Sequence, residues 1–126
     1  MSFKLNKEGL LKSATCPPGL TKFTLVVVEE PYVSKKGATV QKCDFESEKG
    51  YTVSVWFNSA VMGNLYEFVE AADDVKFDPT KMGEIDLNLK EYIGKEVVGS
   101  VSHRKDDNGK VQAQIDNFYT VDKVPF

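Results

Sequence analysis

Apolar and polar residues alternate along five stretches of this chain, which is the pattern of half-buried β-strands. Val, Thr, Phe and Tyr, which favour strands, are frequent in these stretches. The predicted strands cover residues 20–29, 38–47, 51–57, 95–106 and 110–121. Between the third and fourth strands, apolar residues from Val61 to Ala72 recur at helical spacing, which predicts an amphipathic helix with Asn58 or Ser59 as its cap.

The segments between these elements contain turn-forming residues. Pro31 ends the first strand, and residues 31–37 (PYVSKKG) are expected to form a loop. Residues 73–85 form an acidic connector, and residues 86–92 are predicted to form a short second helix capped by Asp86.

Side-chain parity predicts how the second and third strands pair, because a shift of one residue would turn every core side chain toward solvent. Pairing Ser47 with Tyr51 keeps the apolar positions of both strands on one face. The same register places Lys42 opposite Trp56 on the outer face.

The last hairpin contains an Asn-Gly pair, which invites a two-residue turn. Parity favours a three-residue loop over residues 107–109 instead, with its glycine in the left-handed conformation. This loop would place Val101 opposite Ile115 and Val97 opposite Tyr119.

Three strands, a helix and two strands is the element order of the OB-fold, a partly open barrel that binds oligonucleotides or oligosaccharides. We therefore expect a mainly β domain over residues 19–121: a five-stranded OB-fold Greek-key barrel with a helix between strands three and four. Residues 1–18 would form an N-terminal leader and residues 122–126 a short C-terminal tail. A different antiparallel barrel is the alternative.

Composition limits the function classes. A chain of 126 residues, 41% hydrophobic and 28% charged, fits one soluble globular domain and argues against a membrane span. The net charge of −3 is not what overall attraction to duplex DNA requires. The acidity is concentrated in residues 67–92, which hold three Lys and eight acids. A nucleic-acid role must therefore come from a local patch elsewhere.

Catalytic and metal-binding signals are weak. Cys16 and Cys43 lack the spacing of a metal knuckle and are too few for a disulfide framework, so we expect free thiols. His103 is the only histidine and has the parity of an inward-facing residue, which favours a structural role. The sequence contains no Walker loop or dinucleotide fingerprint, and we expect no catalytic residue, metal or cofactor.

One enzymatic alternative stays open. Asp44, Glu46 and Glu48 alternate along one strand face, and clustered carboxylates can hold two magnesium ions for phosphodiester cleavage. A solvated strand face is the favoured interpretation of this row.

Binding features are better represented. Proteins that hold single-stranded DNA without reading sequence use aromatic rings for stacking and cations for the backbone. Trp56 beside Lys42 on the outer face fits this requirement, and the PYVSKKG loop adds Tyr32 next to Lys35 and Lys36. The acidic row would repel phosphate, so DNA is expected to keep to the Lys42–Trp56 end of the face.

The last hairpin adds a second, weaker group of cations. Arg104 and Lys105 precede its loop, where Asp106 and Asp107 offset their charge. We expect both cations to contact phosphates.

The order of several short motifs resembles a known family. PYVSKKG, the strand pair, the amphipathic helix, YIGKEV (residues 92–97) and VSHRKDDNGKVQAQIDNF (residues 101–118) are together similar to small bacteriophage proteins of replication and recombination modules. Those proteins look like OB-fold single-stranded DNA-binding proteins. The resemblance implies a homo-oligomer in the cytoplasm of the host cell, without membrane contact. It would coat and protect single-stranded DNA during replication, recombination and repair, and a recombinase or replication protein would be a partner.

The C-terminal residues carry a further likeness. Val124-Pro125-Phe126 is similar to the Pro-Phe tip with which bacterial single-stranded DNA-binding proteins recruit partners. Those tips follow an acidic run, whereas here Lys123 precedes the tip, which favours a tail docked on the barrel.

The leading hypothesis is thus a non-enzymatic single-stranded DNA-binding protein. The residues expected to carry it are Trp56 and Tyr32 for stacking, and Lys35, Lys36, Lys42, Arg104 and Lys105 for phosphates. The alternatives are the metal-dependent nuclease and a protein-interaction barrel that binds a replication or host factor through residues 67–92.

Overall fold

The computed structural model describes residues 5–7, 9–10, 14–84 and 86–123. Six β-strands and an α-helix lie in these residues, and short 3-10 helices follow at Leu89–Tyr92 and Val121–Lys123. The elements are β1 (Gly19–Val28), β2 (Tyr32–Val33), β3 (Thr39–Ser47), β4 (Thr52–Asn58), α1 (Gly63–Asp73), β5 (Glu96–Lys105) and β6 (Val111–Tyr119).

The strands form one open antiparallel sheet. Its order is β4-β3-β1-β5-β6, and β2 pairs with the first two residues of β3. No ladder joins β4 to β6 in the described residues, although these two strands lie close to each other. A mainly β fold with the helix after the third long strand is therefore confirmed. The expectation of five strands is corrected by β2, which forms within the predicted loop because Tyr32 and Val33 pair with Val40 and Thr39.

The predicted register of β3 and β4 is confirmed. Lys42 lies opposite Trp56, and Phe45 opposite Val53. Because the side chains alternate, one face of this strand pair contributes to the core and the other carries Lys42 and Trp56.

The predicted register of the last hairpin is confirmed near its loop, but it is wrong farther from the loop. Val101 lies opposite Ile115, as a three-residue loop requires, and Gly109 has a φ of 79°. Beyond these pairs a bulge at Asp116 shifts the ladder by one residue. Tyr119 consequently lies opposite Val98 and not Val97.

Aromatic rings fill the core between the sheet and α1. Phe68 of α1 packs against Phe45 and Phe118, with ring centroids 5.3 and 5.4 Å apart. All three rings are buried, so α1 covers the inner face of the sheet. Cys16, ahead of β1, is also buried in this core, and its carbonyl oxygen lies 2.7 Å from Nε2 of His103.

The predicted helix begins later than its apolar pattern indicates. The chain of β4 continues through Asn58, whose Oδ1 accepts a hydrogen bond from the backbone of Ala60. Val61 is therefore outside the core and 70% exposed, and α1 begins at Gly63 without a side-chain cap.

The second predicted helix is shorter than expected. A 3-10 helix at Leu89–Tyr92 replaces it, and Asn88 caps this helix in place of Asp86 by accepting a hydrogen bond from the backbone of Lys90. No helix in the described part of the chain is long and apolar enough to cross a bilayer. The C-terminal Val124-Pro125-Phe126 lies outside the described residues.

Candidate nucleic-acid interface

Trp56 lies on the outer face of the sheet and is 46% exposed. It occupies the position in β4 directly opposite Lys42 of β3, and the Lys42 ammonium lies 5.5 Å from the centroid of the indole. A cation at this distance is attracted to the electron-rich ring face. The two side chains therefore form the aromatic and cationic pair that the strand register predicts.

An acidic residue shares the Lys42 ammonium. Glu29 follows the end of β1, and its backbone donates a hydrogen bond to the carbonyl of Lys42. Its carboxylate Oε2 lies 3.3 Å from Nζ of Lys42. A phosphate that binds Lys42 must therefore compete with Glu29. Sequence reasoning did not find this partner, because the predicted register relates only β3 and β4 and Glu29 follows β1.

A cleft of about 250 Å³ lies where β4 approaches β6. Trp56 and Arg104 both line it, although they come from distant parts of the chain. Gln112, which pairs with Arg104, and Gln114 line it as well. Sequence reasoning missed these two glutamines, and the available signal was their alternation with the apolar residues of β6.

Tyr32 lies on the same face as this pair, near its edge. Its cross-strand partner is Val40, which in turn pairs with Asn58, so Tyr32 and Trp56 belong to one outer surface. Tyr32 and Trp56 are two strands apart and offset by two residues along the strand. Their Cα atoms are therefore about 12 Å apart. Tyr32 is 51% exposed and its ring is accessible to a base.

The two lysines of the PYVSKKG segment lie at the tip of the β2–β3 hairpin. The backbone N–H of Ser34 donates a hydrogen bond to the carbonyl of Ala38, and the backbone N–H of Ala38 donates one to Ser34 Oγ. These bonds close the turn, in which Gly37 adopts a φ of 84°. Lys35 and Lys36 are exposed and make no ion pair with any described residue. They extend the positive potential beyond Tyr32.

Lys105 is separated from this surface. It follows Arg104 in β5, and successive side chains of a strand point to opposite faces. The structure thus brings Lys42, Trp56 and Arg104 together and places Lys105 on the other face of β5.

The predicted acidic row lies along β3 and ends at Glu48, directly after the strand. Asp44 accepts a 2.7 Å hydrogen bond from Ser54 Oγ, and Glu48 lies 4.0 Å from Nζ of Lys22. Within the described ranges, no three His, Cys, Asp or Glu side chains are close enough together to hold a metal ion.

Several acids of residues 67–92 make contacts within the fold. Glu67 accepts a hydrogen bond from the backbone N–H of Phe118, and Asp73 accepts one of 2.6 Å from the hydroxyl of Tyr92. Burial, and next the hydrogen bond to Asp73, raises the pKa of Tyr92 to about 12. These carboxylates lie beside α1 and β6 and do not line the cleft with Trp56.

No protein-family model matches the chain, and a search of the curated proteins finds no similar sequence.

Proposed function

We propose that this protein binds single-stranded DNA on an OB-fold, in a sequence-tolerant way and without catalysis, as a bacteriophage replication or recombination protein. The strand order supports the fold assignment. β1, β3 and β4 follow one another in the sheet, and β5 returns to lie beside β1, which is the Greek-key arrangement. The gap between β4 and β6 corresponds to the open side of a partly open barrel.

The observation that carries the binding proposal is the half-exposed Trp56 with two cations around it. Lys42 lies over its ring and Arg104 lines the same cleft. An exposed indole on a strand face offers a stacking surface to any base, because every base has a π-face. The cations would hold the phosphates on both sides of the stacked base.

Stacking also explains how an acidic protein would bind DNA. Each base stacked on an aromatic side chain contributes about 1–3 kcal/mol, so two rings supply binding free energy that net charge does not. The Cα atoms of Tyr32 and Trp56 are about 12 Å apart, so the two rings suit bases that are not neighbours in a stacked helix. Such spacing favours an extended single strand over a duplex, whose bases are covered.

The test is binding of fluorescein-labelled oligo(dT) measured by anisotropy, with Trp56→Ala compared with Tyr66→Ala. Tyr66 is an exposed aromatic residue of α1 that does not line the cleft, and it serves as the matched control. We expect Trp56→Ala to weaken binding about 5- to 150-fold, the affinity equivalent of one lost stacking contact, and Tyr66→Ala to leave binding unchanged.

Three results would contradict the proposal. The wild type could leave the anisotropy of the oligonucleotide unchanged, Trp56→Ala could bind as tightly as the wild type, or duplex DNA could bind more tightly than the single strand. Magnesium-dependent cleavage of the oligonucleotide, abolished by Asp44→Asn, would support the nuclease alternative instead.

A further inference from the structure

The two glutamines of the cleft are held in a fixed orientation by acidic side chains. Gln114 Nε2 donates hydrogen bonds to Asp116 Oδ1 at 2.8 Å and to Ser102 Oγ at 3.1 Å. Gln112 Nε2 donates one of 3.0 Å to Asp106 Oδ2. An ionised carboxylate only accepts hydrogen bonds, so the amide nitrogen and not the oxygen of each glutamine must face it.

The amide oxygens are consequently the groups left for a ligand. Oε1 of Gln112 and Oε1 of Gln114 accept no hydrogen bond from any described residue. Asn64, at the beginning of α1, lines the same cleft, and its Oδ1 is buried without a hydrogen-bond partner. An unsatisfied buried acceptor destabilises a protein until a donor reaches it. The cleft therefore combines an aromatic ring with two glutamine oxygens open to a donor and one buried acceptor without a partner.

We propose that this cleft binds a nucleobase that carries an exocyclic amino group, with cytosine and adenine favoured over thymine. Cytosine N4 and adenine N6 each present an NH₂ donor, whereas thymine presents the O4 acceptor at the corresponding place. The donor pairs with the glutamine oxygens while the ring stacks on Trp56, and O4 of thymine meets the same oxygens with like partial charge. This inference rests on the proposed single-strand binding. It adds a preference at one base position, while the other contacts of the strand remain sequence-tolerant.

The experiment compares 15-nucleotide oligo(dC) with oligo(dT) at pH 8, both fluorescein-labelled and at equal salt. We expect oligo(dC) to bind about three- to tenfold more tightly, the change that one or two hydrogen bonds make. A second comparison places one cytosine, or one N4,N4-dimethylcytosine, at the same position in oligo(dT). The single cytosine should increase the affinity over that of oligo(dT). The dimethylated base has no N–H on N4 and should not.

A paired substitution locates the preference on the protein. Gln112→Met with Gln114→Met removes the two glutamine oxygens, which are the acceptors assigned to the amino group, at similar side-chain length, and should make oligo(dC) and oligo(dT) equivalent. Gln41→Met, outside the cleft, is the matched control and should retain the preference.

The outcomes separate this inference from the proposed function. If neither oligonucleotide binds the wild type, the proposed function fails and the inference fails with it. If both bind equally, or oligo(dT) binds more tightly, single-strand binding stands and the amino-group preference is wrong. If the preference survives dimethylation of the cytosine or persists in the paired variant, the assignment of the amino group to the two glutamine oxygens is wrong.

Discussion

Glu29→Gln is predicted to increase the affinity for single-stranded DNA. In the free protein the Glu29 carboxylate lies 3.3 Å from the Lys42 ammonium, so the cation beside Trp56 is already partnered. A phosphate must displace Glu29 from Lys42 and remain close to its negative charge. Replacing the carboxylate by the neutral amide removes both the competition and the repulsion while it preserves the shape of the side chain.

The size of the effect follows from the exposure of the pair. The Lys42 and Glu29 side chains are 31% and 51% exposed, which makes this a surface ion pair. Such pairs contribute about 0.2–1 kcal/mol, and the higher end corresponds to about a fivefold change in affinity. We therefore expect a two- to fivefold gain. The salt dependence of log K should stay nearly the same, because Lys42 contacts the strand in both proteins.

The neighbouring residue offers a matched control. Glu30 pairs with Lys90, away from the Lys42–Trp56 pair, so Glu30→Gln removes the same charge next to the same strand end. Anisotropy titrations with oligo(dT) at several salt concentrations compare the two variants with the wild type. Equal effects of the two substitutions would indicate a general change in net charge, and a loss of affinity in Glu29→Gln would refute competition between Glu29 and phosphate.

Two further predictions concern the core. A Cβ at Gly99 would lie 2.9 Å from Ile115 Cγ2 and 3.1 Å from the Phe23 ring. Gly99→Ala should therefore lower the free energy of unfolding, measured in urea, by about 1–3 kcal/mol. Unchanged stability would contradict the packing of β1, β5 and β6. Burial raises the pKa of the Cys43 thiol to about 12, and it also raises the pKa of the buried Cys16 thiol. Both thiols should therefore stay protonated and unreactive toward Ellman's reagent in the native protein at pH 8. Both should react after unfolding in urea, and a fast reaction of either in the native state would contradict its burial.

The strand positions and the Lys42–Trp56 pair were predictable from sequence because alternation and a short turn determine them locally. The bulge at Asp116 was not predictable, since the residues on both sides of it fit the strand pattern equally well. The start of α1 was predicted too early because Val61 has the apolar character of a core residue but lies beside the end of β4.

The candidate site was predictable only in part. Trp56 stood out as a large aromatic residue at an outward position, and this is a local signal. Arg104 and the two glutamines lie near Trp56 because β4 approaches β6. This approach depends on how the whole sheet curves, which no local pattern of the sequence indicates. The contact of Glu29 with Lys42 was likewise not predictable, because the register of the β3–β4 hairpin says nothing about the residue that follows β1.

Titration of the fluorescence of Trp56, the sole tryptophan, with oligo(dT) and with duplex DNA at several salt concentrations is the most direct test of single-strand binding on this face. The account predicts that oligo(dT) quenches the fluorescence to saturation, that added salt weakens this binding, and that duplex DNA quenches little. Oligo(dT) that binds without quenching would contradict the place of Trp56 in the interface. Absence of binding at low salt would contradict the function itself.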